Sequence, residues 1–349
     1  MRKRILSLLL ALIMCLSLAA PALAVPTGYS DVPERHWSAQ SVRRATQLGI
    51  FNGVGGGKFG RGQPITRAAF VTAMVRLFDW EAVTPAKATF TDVAKGRWYY
   101  TAVETACANG AIPTAGKTFR PTENITREEM ASMLVRGLGY ASLAGTVGAG
   151  SSPFTDVTTN RGFIALAYDL GIVSGVGNNK FAPDNTATRE QAAVMLVRIY
   201  DKLHGETKHL TEVGGCTPLR IATPEAVSGQ ELPTTPLEPV VDLYTGLRKL
   251  KSGGADMSKV VLCLTAGGVR TLTSGGRILE SDTVTAEEVA EILAGKGVRT
   301  YYSDRYESAY CIYQPNGYQS ATLWYQSDES LSAKLQLARL FGVTKYILE

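Results

Sequence analysis

The chain has 349 residues, of which 45% are hydrophobic and 19% charged, and a formal net charge of +5. That is enough length for two or three domains. No basic stripe with interleaved aromatics accompanies the positive balance, so the charge does not point to a nucleic-acid partner.

The first residues set the compartment. Arg2, Lys3 and Arg4 precede an apolar run from Ile5 to Leu18, and Pro21-Ala22-Leu23-Ala24 offers an A-x-A cleavage site. This is the pattern of a secretory signal peptide over residues 1–24. The apolar stretch is short for a membrane anchor, and Met14 is bulky for a lipoprotein site at Cys15. Cleavage removes three cations and leaves a formal charge of +2 with no membrane span expected in the mature chain. Cys107, Cys216, Cys263 and Cys311 then remain. They are scattered, with no C-x-x-C or Cys/His cluster, so no metal site is expected and sparse buried thiols are the simplest reading, although an exported chain can form disulfides.

After the leader the sequence repeats itself. Tyr29-Ser30-Asp31-Val32 recurs as Phe90-Thr91-Asp92-Val93 and as Phe154-Thr155-Asp156-Val157, at intervals of 61 and 64 residues. Ile65-Thr66-Arg67 recurs as Ile125-Thr126-Arg127 and Ala187-Thr188-Arg189. Phe59, Phe119 and Phe181 each stand seven residues before the threonine, and Arg76, Arg136 and Arg198 ten after it. Markers that hold register over three copies define repeats at 28–87, 88–150 and 151–204.

Each copy reads as two helices joined by a glycine-rich loop. Val42, Ala45 and Leu48 share one face of a helix over 38–48, which Gly49 ends. A second helix starts at Thr66 and carries an apolar stripe of Phe70, Val71, Met74, Val75 and Phe78. Thr126 with Glu129, and Thr188 with Gln191, are spaced as capping boxes, whereas Ala69 leaves the first copy a weaker cap. One helix pair is too small to bury a core, but three packed about a common axis suffice.

The threonine cap places Arg67, Arg127 and Arg189 in the first helical turn, where unpaired N–H groups and a guanidinium suit a carboxylate. Asp31, Asp92 and Asp156 are candidates to accept sugar hydroxyls, and Trp37 and Trp98 offer flat faces to a sugar ring. The structural alternatives stay open: turn caps for the aspartates, core positions for the tryptophans, ion-pair partners for the arginines.

These residues resemble the S-layer homology domain over roughly 28–203: an opening F-x-D-V, a tryptophan soon after, G-I-x-G, F-x-P and a T-R-A-E-type helix start. The resemblance implies a mainly α pseudo-trimer of helical repeats whose grooves bind secondary cell-wall polysaccharide, often through pyruvylated N-acetylmannosamine. Arg67, Arg127 and Arg189 would then meet the pyruvyl carboxylate, Asp31, Asp92 and Asp156 the hydroxyls, with Trp37 and Trp98 lining grooves. The third copy departs from the pattern, since three residues are missing where its tryptophan would stand. The second has Pro113-Thr114-Ala115 in place of I-x-x-G.

Composition shifts at 205–239, rich in Thr, Pro, Gly and Glu, which reads as a linker. Helices follow over 241–250, from the Thr285–Glu288 capping box to Gly295, and from a cap at Asp328 through 340. Strands are expected at 259–264, 300–303, 306–313, 319–325 after the Asn316-Gly317 turn, and 343–348. Lys259 to Leu264, Leu323-Trp324-Tyr325, Asp328 to Ser330, Ala333 to Ala338 and Gly342-Val343 resemble the closing segment of glycoside hydrolase family 18, so 240–349 is read as a smaller, partial α/β module. The family's D-x-x-D-x-D-x-E motif is absent from the chain. Its sixth-strand tyrosine falls at Gly267 and its eighth-strand tryptophan at Tyr346. The expectation is therefore a module with no catalytic residues and no cofactor. Asp304, Glu307, Asp328 and Glu329 are read as surface acids or caps, and the tyrosines of the region as a packed strand surface. A half-barrel leaves sheet edges exposed, which dimerisation or refolding as a compact module would resolve. The whole is expected at the cell surface, anchored to the wall. A wall-acting or chitin-type glycosidase and a self-associating S-layer component are the competing classes.

Overall fold

The computed structural model describes residues 28–147, 152–221 and 236–349; the expected signal peptide lies outside them. Among these residues the repeats contribute seven helices: α1 (Ala39–Gln47), α2 (Arg67–Phe78), α3 (Tyr100–Ala108), α4 (Arg127–Gly137), α5 (Ala141–Thr146), α6 (Arg161–Asp169) and α7 (Arg189–Leu203). Gly49, Gly110 and Gly171 follow the first helix of each copy with φ of 69–70°, the left-handed stop that glycine makes without strain. Thr66, Thr126 and Thr188 cap the second helices. Glu129 and Gln191 complete the box and Ala69 cannot, as their spacing requires. In α2, Leu77 joins Phe70, Val71 and Met74 in the core, while Val75 and Phe78 are half-buried and Phe78 stacks on Trp80.

The two helices of one copy are not each other's main partners. α3 packs on α2, α6 on α4, and α1 returns to α7, so the first helix of every copy lies against the second helix of the copy before it. The backbone closes the same circuit. Ile65 N–H donates to Ala187 C=O (3.0 Å), Ala187 N–H to Ile125 C=O (3.0 Å), and Ile125 N–H to Ile65 C=O (2.9 Å). All three residues are buried. No copy can satisfy these groups alone, which ties the fold to the presence of all three.

The segment 205–239, expected as a linker, supplies two strands: β1 (Lys208–His209) and β2 (Thr217–Arg220). They pair in parallel with β9 (Lys345–Leu348) and β3 (Val260–Leu264), giving a sheet in the order β1-β9-β3-β2. β3 is buried along its length, which suits a continuous Val/Leu run in a parallel sheet. The edges that a half-barrel would expose are thus covered by short strands from the supposed linker.

Helix α8 (Val240–Ser252) precedes β3. Between β3 and β9 lie β4 (Gly268–Ser274), β5 (Arg277–Val284), α9 (Ala286–Leu293), β6 (Arg299–Ser303), β7 (Ser308–Asn316), β8 (Gln319–Tyr325) and α10 (Asp328–Phe341). The five strands form an antiparallel sheet, β5-β4-β8-β7-β6, with α9 closing Val284, Val289, Cys311 and Leu323 against one face. The β4–β5 hairpin was not foreseen; it turns at Gly275-Gly276, both with positive φ. The cap of α10 is Ser327, whose hydroxyl accepts from Ser330 N–H (3.1 Å), not Asp328. All four cysteines among the described residues are free. No helix among those residues is long and apolar enough to cross a membrane.

The module shares one hydrophobic core with the repeats, through Leu243, Leu247, Leu337, Leu340 and Phe341. Lys202 on α7 donates to Leu340 C=O, and Gln336 on α10 donates to Leu138 C=O (3.1 Å). Asp169 on α6 pairs with Arg248 on α8 (2.9 Å).

Candidate functional site

The aspartates turn inward to backbone. Asp31 Oδ1 accepts from Phe59 N–H (2.8 Å), and its Oδ2 from the N–H groups of Gly60 (2.8 Å) and Arg61 (2.9 Å). Asp92 takes Phe119 N–H (2.8 Å) and Arg120 N–H (2.7 Å). Asp156 takes Phe181 N–H and Ala182 N–H, both at 2.9 Å. In each copy the carboxylate therefore fastens the opening turn to the segment that starts at Phe59, Phe119 or Phe181. The residue after the phenylalanine is left-handed every time: Gly60, Arg120 and Ala182 have φ of 87°, 61° and 56°. Two of these are non-glycine, so the clamp holds a conformation that costs about 1–2 kcal/mol for an L-residue.

The arginines reach the opposite end of the same peptides, one copy further on. Arg67 Nε donates to Phe119 C=O (2.7 Å), Arg127 Nε to Phe181 C=O (2.9 Å), and Arg189 Nε to Phe59 C=O (3.0 Å). A second N–H of Arg127 goes to Ser174 C=O (2.8 Å) and one of Arg189 to Asn52 C=O (3.0 Å). Each guanidinium lies over the phenylalanine ring, 4.7–5.1 Å from its centre, within cation–π range. Asp and Arg thus grip one Phe peptide from two repeats: Asp31–Phe59–Arg189, Asp92–Phe119–Arg67 and Asp156–Phe181–Arg127.

One expectation needs correcting. The first-turn N–H groups are not free to meet an anion. Arg67 N–H donates to Glu123 C=O (2.9 Å), Ala68 N–H to Pro121 C=O (3.0 Å), Arg127 N–H to Asn185 C=O (3.0 Å), Glu128 N–H to Pro183 C=O (3.1 Å) and Arg189 N–H to Gln63 C=O (3.0 Å). Inter-repeat pairing uses the donors that an isolated helix would leave open. What the seams still offer is the guanidinium groups, Arg67 and Arg127 being buried and Arg189 half-buried.

Trp37 and Trp98 are 61% and 67% exposed, so neither is a core residue. Each lies beside one ring, His36 at 5.4 Å and Tyr99 at 5.2 Å, and presents the remainder to solvent. In the third copy the turn that carries them is replaced by Asn160 with φ 46° at the start of α6.

The phenylalanines were legible only as register markers, and their role as the common handle of Asp and Arg was missed. So was Glu129. Its Oε2 accepts from Thr126 N–H (3.0 Å) in the capping box, while Oε1 pairs with Arg67 and Arg120, both at 2.5 Å. Elsewhere, Glu307 has φ 49° and accepts from Tyr302 OH (2.9 Å); burial, with Asp304 and Glu329 adding to it, pushes its carboxyl above the usual range. Glu307 faces a cavity of about 300 Å³ that Leu138, Tyr140 and Gln336 also line. Among the described residues no group of three or more His, Cys, Asp or Glu is placed to hold a metal ion.

The clamps make the repeats acid-sensitive. Burial raises the Asp31, Asp156 and Glu129 carboxyls, but backbone N–H donors outweigh it, with Arg67 and Arg120 assisting at Glu129, so all three lie below their ordinary values. A carboxylate that is depressed in the folded chain contributes stability fully above its unfolded value, about 4, and loses it as pH falls through the folded one. Thermal midpoints measured from pH 7 to pH 2 are expected to hold down to about pH 4 and then drop. A midpoint flat to pH 2 would contradict the clamps.

Residues 28–71, 89–131 and 153–193 match the S-layer homology domain family. The chain is 31% identical over 178 residues to an amylopullulanase of Thermoanaerobacterium thermosulfurigenes, covering 50% of this chain and 10% of that one. It is 31% identical over 137 residues to a cellulosome-anchoring protein of Acetivibrio thermocellus, covering 38% and 30%. The chain therefore spans under a third of the length of either relative. Among solved structures it resembles the Bacillus cereus spore cortex-lytic enzyme SleL with a TM-score of 0.30 and 14% identity, over 35% of this chain and 28% of that one.

Proposed function

We propose that this chain, which carries three S-layer homology domains, is an exported cell-surface protein that docks non-covalently on the bacterial wall by gripping a pyruvylated secondary wall polysaccharide in the seams of a pseudo-threefold bundle. The observation that carries this is the circular Asp–Phe–Arg arrangement, which brings a guanidinium from one repeat to the Phe peptide held by the next repeat's aspartate three times over. Arginine is the side chain suited to a planar carboxylate. Weak sites on one rigid body gain through effective concentration when the ligand is a repeating polymer. Trp37 and Trp98, exposed as they are, offer apolar faces to sugar rings. The aspartates act on this binding by holding the Phe peptide.

The C-terminal module is proposed to be non-catalytic. The chain has no D-x-x-D-x-D-x-E sequence, and loss of a general acid alone costs about 10²–10⁴-fold in rate. Glu307 is the acid to watch: release of soluble sugars from chitin or peptidoglycan that disappears in Glu307→Gln would make the module an enzyme. Concentration-dependent oligomers of the purified chain would instead favour a self-assembling surface component.

The wall reading is tested by calorimetry of the full chain against isolated wall polysaccharide before and after mild acid removal of the pyruvyl groups. Binding that weakens at least about tenfold on depyruvylation, as loss of charge-assisted hydrogen bonds implies, is the expected result. Equal binding to both polymers overturns the carboxylate, and no binding to either overturns the anchor.

A further inference from the structure

Three helix ends meet where the third repeat joins the C-terminal module. α6 ends at Asp169, α8 at Ser252 and α10 at Phe341. Lys251 of α8 donates to Asp169 C=O (2.5 Å), and Lys202 of α7 donates to Leu340 C=O. Lys251 also stands 5.6 Å from the centre of the Phe341 ring. Helix C-termini attract cations, so part of this positive charge is structural.

The charge exceeds that need. Arg248, Lys249 and Lys251 come from α8, and Arg198 and Lys202 from α7. The acid among them is Asp169, which already holds Arg248 (2.9 Å) and the hydroxyl of Tyr244 (2.5 Å). Asp201, next to Lys202, is paired with Arg44 (2.7 Å) and adds a neutral pair. Five cations against one carboxylate and three helix ends, each worth about half a negative charge, leave a surplus of roughly two positive charges. Burial pushes the Lys202 ammonium down to about 8, and Lys251 and Arg198 push it the same way.

The surplus borders a cavity of about 580 Å³, lined by Tyr168, Asp169, Ser174, Arg248, Lys251 and Ser252 among others. Gly171 is part of its wall, and a Cβ there would lie 3.6 Å from Lys202 Nζ. Arg248 and Ser252 also line a second cavity of about 390 Å³, which Lys249 borders. Tyr168 is 40% exposed, with Phe154 against it at 5.2 Å, and offers the rest of its ring to a sugar. A volume of this size suits a ligand of one or two sugar rings. Arg127 gives its N–H groups to the Phe181 and Ser174 carbonyls and lines neither cavity. A carboxylate brings one negative charge, whereas a phosphate monoester brings close to two, and lysine suits phosphate as a point charge.

We infer that the junction of the third repeat and the C-terminal module is a second anion site, separate from the repeat seams, and that it takes a sugar phosphate. Lys251 and Arg248 meet the phosphate, Lys202 supports it from behind Gly171, and Tyr168 meets the sugar. The site gives the module a function that needs no catalytic residue.

The probe is glucosyl phosphate, titrated calorimetrically into the full chain in phosphate-free buffer, with glucose and inorganic phosphate as comparisons. One site is expected, at least about tenfold tighter for glucosyl phosphate than for either comparison. Lys251→Gln should weaken it by about tenfold or more, as loss of a charge-assisted hydrogen bond implies, and Lys251→Arg should restore most of the affinity. Asp169→Asn separates binding from structure. It weakens the hold on Arg248 and Tyr244, so the thermal midpoint should fall, yet it removes the acid facing the cavity and should tighten glucosyl phosphate about threefold. Affinity that falls together with the midpoint in Asp169→Asn would make the cluster a staple between helices and overturn the site. No heat from the wild type, or equal affinity for glucosyl phosphate and either comparison, overturns it as well. Displacement of glucosyl phosphate by a pyruvylated monosaccharide would merge the site with the repeat seams and overturn it as a separate one. Wall-polysaccharide binding that persists in Lys251→Gln keeps the two readings apart.

Discussion

Lys334→Ala is expected to be the most damaging single substitution in the C-terminal module, by about 3–5 kcal/mol. Lys334 is fully buried on α10. Its ammonium donates to Leu237 C=O (3.0 Å) and Gln326 Oε1 (2.9 Å) and pairs with Glu238 (3.3 Å), whose side chain is 3% exposed. Glu238 Oε1 in turn accepts from the N–H (2.6 Å) and hydroxyl (3.0 Å) of Thr265, at the end of β3. One cation thus fastens α10, the chain entering α8, and the end of the parallel sheet. Burial alone drives the Lys334 ammonium to a lower value, and Glu238 opposes that. Truncating the lysine leaves a carboxylate in the core with no counter-charge, a larger loss than the contact itself provides. Removing both charges is the control. Lys334→Met with Glu238→Gln should recover about 1–3 kcal/mol relative to the two single losses added together. Hydrogen exchange across Val260–Leu264 in a urea series reads this directly. A Lys334→Ala chain that keeps wild-type protection would mean that the pair is not buried as described.

The same network shows why part of the chain was not legible from its residues. The repeat helices were readable because their signals are local: a threonine with Glu or Gln three positions on, a glycine at the far end, a stripe at helical period. The pairing of the repeats was not. Arg189 meets a carbonyl 130 positions earlier, and nothing near Arg189 records that. The donors of the first helical turn were expected to be free because an isolated helix leaves them so, and the neighbouring repeat consumed them. In the segment read as a linker, β1 and β2 have two and four residues and no alternation of their own. They are strands because β9 and β3 offer unpaired edges, which is a tertiary cause. Glu238, the last residue but one of that segment, carries the module's buried charge. Ser327 and Asp328 are adjacent residues both suited to capping, and only the hydroxyl of Ser327 meets Ser330 N–H. The exposure of Trp37 and Trp98 could not be read from composition, since a tryptophan in a short turn suits a core and a ligand face alike.

Asp31→Asn is expected to be nearly as harmful as Asp31→Ala, each costing about 2–3 kcal/mol and lowering the repeats' thermal midpoint by about 5–10 °C. The reason is stoichiometric. Three backbone N–H groups converge on this carboxylate, one on Oδ1 and two on Oδ2. Asparagine keeps one acceptor and turns a donor toward the other two N–H groups, or the reverse, so it repels where aspartate binds. A carboxylate serving only sugar hydroxyls would behave in the opposite way, because an amide satisfies hydroxyls that both donate and accept, and stability would not change. The ligand effect is expected to follow the fold. Phe59 is held at its N–H by Asp31 and at its C=O by Arg189, so releasing one end lets the other guanidinium contact drift, and glycan affinity in that seam should fall with the midpoint. Calorimetry on Asp31→Asn well below its melting temperature separates the two roles. Lost binding with an unchanged midpoint hands the carboxylate to the ligand. Lost stability with binding reduced in proportion keeps it as the clamp that positions Arg189.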